Sequence, residues 1–179
     1  MTQKKETPSL QKCAKGLIDL VLDATGHDLV FREFSRREPD LKNVTFETFC
    51  VEYVPSKLAL GCAYWRDCCE NHRIEGKEEQ NIFFREVMSL FESPKSLENA
   101  TRFSESLYAS NADKDHPPMI SVLVHLFHKL KLTATGKADS EIPEVSPGFY
   151  FMVEASEALR SVFEEQFDEF IYSNEDFRT

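Results

Sequence analysis

Long hydrophobic runs are missing from this 179-residue chain. No apolar stretch approaches the roughly 18–20 residues that a bilayer-spanning helix needs, and the opening MTQKKETPSL has no hydrophobic signal core. Glycine is scarce at 6 residues, which disfavours turn-rich β architectures and favours helices. Cations are outnumbered, 21 Lys and Arg against 31 Asp and Glu. The resulting net charge of −10 argues against nucleic acid as the main partner, since phosphate binding needs clustered cations, and against general adhesion to anionic membranes. A disulfide framework is lacking too: five cysteines are an odd count, and three crowd into Cys62, Cys68 and Cys69, a pattern of reduced thiols. These absences predict a soluble cytoplasmic chain of about one domain, any membrane association coming through a partner.

The strong mechanistic signatures are absent as well. There is no G-x-x-x-x-G-K-[ST] loop, no G-x-G-x-x-G, no G-x-S-x-G and no H-E-x-x-H. Isolated Cys, His and Asp residues occur, but no spacing selects a nucleophile with its base. The expectation is a module that works by binding, with no cofactor and no catalysis of its own.

What the chain has is phenylalanine, 15 of them, placed at helical spacing. Residues 26–53 read as two amphipathic helices joined at Pro39. Val30, Phe31 and Phe34 share one face, and Phe46, Phe49, Cys50 and Tyr53 fall at i, i+3, i+4 and i+7 of the second helix. Proline pushes the residue before it out of the helical region yet suits a first helical turn, so it closes one helix and opens the next.

Around this pair the pattern predicts an all-α chain. Residues 1–8 form a polar tail and residues 9–179 a single helical domain. A first helix carries Leu10, Cys13, Leu17 and Leu20 and stops near Gly26. The central pair closes at Pro55, and a further helix follows to His72 with Leu58, Cys62, Trp65 and Cys69 on one side. Helices are predicted over 78–92, over 96–110, and from Pro118 with Ile120, Leu123, Val124, Phe127 and Leu130 inward. Residues 133–147 read as a loop. The final helix, over 148–172, turns Phe151, Ala155, Ala158, Leu159, Val162, Phe167, Phe170 and Ile171 inward, and its outer face is acidic.

The pattern Phe31-x-x-Phe34, Glu38, Asn43, Phe46 and Tyr53 resembles the third and fourth helices of a regulator of G-protein signalling (RGS) homology domain. The wording FREFSRREPDL is more similar to the version at the front of G-protein-coupled receptor kinases. Two further stretches are similar to that version in the same order: residues 86–96, its helix-to-loop passage, and residues 155–173, its closing pair of helices. Residues 54–80 and 97–145 match nothing in the family and read as insertions.

The resemblance implies an RGS-like bundle of about eight or nine helices, without cofactor, that binds a Gα subunit or another signalling partner. It places partner contacts at Lys42, Asn43, Glu165, Gln166 and Glu169. Lys42 replaces the family's acid before the asparagine. Glu169 stands where active regulators have the arginine that steadies the acid at Glu165, and a carboxylate there repels where a guanidinium would orient. Weak or absent GTPase activation is therefore expected, a true GTPase activator being the alternative. Without the resemblance, Asn43 reads as a polar helix-start residue bonding local backbone, and the acidic face as plain solvation. A metal or redox protein is a further alternative. Cys68 and His72 lie at i, i+4 and His125 and His128 at i, i+3, so an unknown helix pairing would have to join the four; buried thiols and polar helix-end histidines are the plainer reading of the same residues.

Overall fold

The computed structural model describes residues 10–93, 96–112, 115–132 and 145–174, without the side chains of Pro39, Lys42 and Ala112. The proposed tail at 1–8 and most of the predicted loop at 133–147 lie outside the described residues. The all-α expectation holds: there are eight α-helices and no strand among the described residues. They are α1 (Leu10–Val21), α2 (Ala24–Arg37), α3 (Phe46–Asn71), α4 (Lys77–Gln80), α5 (Ile82–Ser89), α6 (Leu97–Ala112), α7 (Pro118–Lys129) and α8 (Pro147–Ser173), with a 3-10 turn at Pro39–Asn43.

Several boundaries differ from the sequence reading. Gly26 does not stop a helix. Asp23 caps α2, its carboxylate accepting from the N–H of Gly26 at 2.9 Å, so Gly26 sits in the first turn of α2 instead. Pro39 does end α2, but it opens a 3-10 turn, and α3 starts after Thr45, whose hydroxyl accepts from the N–H of Thr48 at 3.1 Å. Pro55 does not close α3: the helix runs through it for 26 residues.

An interior proline removes one backbone donor and costs about 3 kcal/mol in a free helix, so burial must offset it here. Downstream of Pro55 the helix buries Leu58, Ala59, Leu60, Trp65 and Cys69, the last two at 0% exposure. Ser56 Oγ donates to the carbonyl of Glu52 at 2.9 Å, satisfying one acceptor beside the break.

α3 is the axis of the bundle, in contact with α1, α2, α4, α5, α6, α7 and α8. Two apolar clusters form along it, both touched by Met119. One gathers α1, the second half of α3, α5 and the second half of α8, with Trp65 edge-on to Phe167 at 5.0 Å. The other gathers Phe34, Phe49 and Tyr53 with Phe127, Phe149 and Met152. Residues 54–80 and 97–145, which match no family passage, thus supply much of the core rather than lying outside it.

α7 and α8 bury wider faces than one stripe. α7 packs on α3, α6 and α8, which buries Val122 and Leu126 and leaves Val124 47% exposed. α8 packs on α1, α2, α3 and α7, so Met152, Ser156 and Phe163 are buried, whereas Val162 and Ala158 are exposed.

Two glycines permit the closest approaches. A Cβ at Gly61 would lie 2.7 Å from the ring of Phe83 and 3.1 Å from that of Phe163. A Cβ at Gly148 would lie 2.6 Å from the Glu38 carboxylate and 2.9 Å from Phe34. Gly61→Ala should therefore lower stability by about 1–3 kcal/mol, as overpacking does. Urea unfolding checks this, and an unchanged midpoint would contradict the packing at α3, α5 and α8.

Candidate functional site

The end of α2 is joined to the start of α8 by a buried polar link. Glu38, 4% exposed, accepts a hydrogen bond from Ser146 Oγ at 2.9 Å. The same hydroxyl caps α8 by accepting from the N–H of Phe149 at 3.0 Å. Beside it Arg37 stands 3.6 Å from Glu154 and lies over the ring of Phe151 at 5.0 Å. Glu38, a residue of the family pattern, is therefore a structural joint between the hinge and the last helix.

α8 runs on as one 27-residue helix where the resemblance at residues 155–173 implied a pair. Along its second half, Asp168 faces α3 and binds His72 Nε2 at 2.7 Å, while Glu164 takes Arg160 Nε at 3.1 Å. Glu165, Gln166 and Glu169 are exposed on the other side. Gln166 and Glu169 line an open groove of about 430 Å³ between α1 and α8, whose opposite wall is Lys12, Cys13 and Gly16. A Cβ at Gly16 would meet nothing within 4 Å, so the groove floor is open there. The α1 side was not legible in advance, because Lys12 and Gly16 carry no pattern of their own. Carboxylates at 165 and 169 are neighbours at i, i+4, a like-charge pair that costs roughly 0.2–0.5 kcal/mol and that a cationic partner would relieve.

Asn43 is exposed and closes the 3-10 turn. The cap of α3 belongs to Thr45, so the local-backbone alternative for Asn43 loses the role it named. Of Lys42 only the backbone is described.

Asn43 and the acidic groove are not brought together. Gly148 touches Glu38 beside the 3-10 turn, and Glu165 lies 17 residues further along α8, about 25 Å at 1.5 Å per residue. Along α3 the separation is similar, since the ring of Phe167 packs on Trp65, 19 residues beyond the helix start at Phe46. The five residues carried over by resemblance thus fall at two places on the bundle.

The four metal candidates are separated as well. Cys68 is buried and His72 is bound to Asp168 at the α3–α8 contact. His125 and His128 are on α7, where the nearby charges acting on His125 are Lys129, Glu105 and Glu52. Glu52 is 16 residues before Cys68 on α3, about 24 Å along the axis. Among the described residues no group of three or more donors is placed to hold a metal ion. The helix pairing that the metal reading needed is not the one the chain adopts.

Cys68, His72 and Asp168 follow one another in space, which invites a test for thiol catalysis. Burial, and then the carboxylate of Glu164, push the Cys68 thiol up to about 12. An activated nucleophile is shifted the other way. Burial likewise holds Cys62 and Cys69 at about 12 and Cys13 at about 11. What the site presents is a charged, grooved surface.

Comparison with protein-family models, with curated proteins and with solved structures gives no significant match.

The thiol environments make a direct prediction. Under native conditions at about pH 8 an alkylating reagent should modify Cys50 and Cys13 first and leave Cys62, Cys68 and Cys69 protected until unfolding. Mass spectrometry of a labelling time course reads this, and rapid native modification of Cys68 would contradict the inert assignment.

Proposed function

We propose that this chain is an interaction module of the RGS-homology kind that docks a Gα subunit or another signalling protein, with weak or absent GTPase activation. The observation that carries the reading is that the proline-hinged aromatic pair packs on the start of α8, the same helix whose later turns, residues 155–173, supply the other resemblance: Ser146 bonds Glu38 at 2.9 Å and Arg37 stands 3.6 Å from Glu154.

Activation of a GTPase requires its switch segments to be held in one shape, because the chemistry belongs to the GTPase and the partner contributes only positioning. Two features make this chain poorly suited to that task. Glu169 stands on the same helical face as Glu165, so no guanidinium orients the acid there. Asn43 and Glu165 are separated by about 25 Å of helix, so one compact contact does not span both. Binding survives such changes more readily than activation, because binding needs only one of the two places.

In single-turnover GTP hydrolysis with a panel of Gα subunits, acceleration should stay below about tenfold, or roughly 1.4 kcal/mol. A pull-down against the GDP, GDP–aluminium fluoride and GTP-analogue states should retain at least one of them. Strong acceleration would establish a true activator in place of a docking module. Absence of binding in every state, across the panel, would remove the Gα assignment.

A further inference from the structure

A second surface, away from the acidic groove of α8, has the composition of a docking site. The first half of α3, with Leu90 and Phe91 after α5 and Ser96 and Asn99 beside them, walls an apolar groove of about 390 Å³ whose floor includes Leu22, Val51, Val54, Leu58, Leu90 and Phe91. Three of these large side chains are well exposed: Leu22 at 37%, Val51 at 36% and Leu90 at 42%. Apolar side chains grouped in a concave site, rather than scattered singly, mark interaction surfaces.

Two independent features define the occupant. The first is backbone chemistry. Pro55 lines the groove beside Val51 and has no N–H, so the Val51 carbonyl lacks its usual donor four residues on. The second is charge. Glu47 lies one helical turn before Val51, Glu92 follows Phe91, and Asp28 is close enough for its field to act on the Cys50 thiol in the groove wall. Asp28 is engaged by Arg32 at 2.8 Å, but neither Glu47 nor Glu92 makes an ion pair with another described residue.

We infer that this groove binds an amphipathic helix of a partner protein, with Leu or Ile side chains seated on the apolar floor and Lys or Arg side chains reaching the acidic rim and the proline-freed carbonyl. The α3 residues that line the groove run from Cys50 to Leu58, eight positions apart, about 12 Å or two turns of a bound helix. An anionic lipid surface is disfavoured by the same carboxylates. The inference rests on the reading of the chain as an interaction module but needs no Gα contact.

The test uses the full chain and a labelled synthetic 18-residue peptide with Leu on one helical face and Lys on the other, followed by fluorescence anisotropy. Two control peptides are a Leu/Lys sequence of equal composition that spreads Leu around the helix, and an analogue with Glu for Lys. The patterned cationic helix should bind saturably, and both controls at least tenfold more weakly. Val51→Lys should weaken binding at least tenfold, whereas Tyr150→Lys, an exposed site on α8, should leave it unchanged. Where Val51→Lys unfolds the chain, by circular dichroism, the double variant Glu47→Lys/Glu92→Lys replaces it with the same expectation.

Equal binding of the scrambled peptide would reduce the effect to net charge and overturn the proposal. Undiminished binding to the groove variants would place the peptide elsewhere and overturn it too. Self-association of the chain that is abolished by Val51→Lys would make a second copy the occupant in place of a basic helix. A Gα pull-down with Val51→Lys separates the two readings: loss of peptide binding with Gα binding retained supports both, and loss of Gα binding by every variant and by the parent leaves the groove result standing alone.

Discussion

The contact between α3 and α8 organises the rest of the bundle. The two helices run side by side from Gly61 against Phe163, through Trp65 against Phe167, to His72 against Asp168. Each level needs a different kind of fit: an absent Cβ, an edge-on aromatic pair and a charge-capable hydrogen bond. α1 and α5 close over one end of this contact, and α2 and α7 over the other. Because both helices are long, about 40 Å each at 26 and 27 residues, they also hold the two ends of the molecule apart.

That rigidity explains how the molecule carries two surfaces. The groove of α1 and α8 is lined by the last turns of α8, and the apolar groove by α3 around Pro55. Pro55 sits at the transition. Upstream of it the helix exposes Phe46 and Val51, and downstream it is almost wholly buried. A helix interrupted by proline survives where one side of the break is anchored in a core, and here that anchor is Leu58, Trp65 and Cys69.

Much of the fold was legible because its signals are periodic. The helix from Pro118 and the apolar faces that bury Phe34 and Phe49 follow from spacing alone. Helix starts were harder than helix ends, and the close of α3 at His72 was read from the pattern although glycine does not mark it. α3 and α7 each close on a residue in the left-handed region, Arg73 at φ 57° and Lys131 at φ 58°, with the N–H of Ile74 and of Leu132 reaching back to Cys69 and Phe127. Glycine normally marks such a stop, and in a glycine-poor chain the mark is missing. Pro55 failed as a boundary for the opposite reason, since tertiary burial overrides a local breaker and burial is not written in the neighbouring residues. The candidate site divided along the same line. Exposure of Glu165 and Glu169 follows from the acidic face of α8, but their distance from Asn43 depends also on α3, whose length the break read at Pro55 understated.

The central claim is that α3 and α8 are continuous rods that hold Asn43 and the acidic groove far apart. Double electron–electron resonance between spin labels at Asn43→Cys and Glu165→Cys measures this directly, in a background where Cys13 and Cys50 are replaced by Ser. The account predicts a distance distribution centred at about 25 Å or longer. A distribution centred below about 15 Å, as expected if the helices broke at Pro55 or within α8 and folded the two places together, would contradict it.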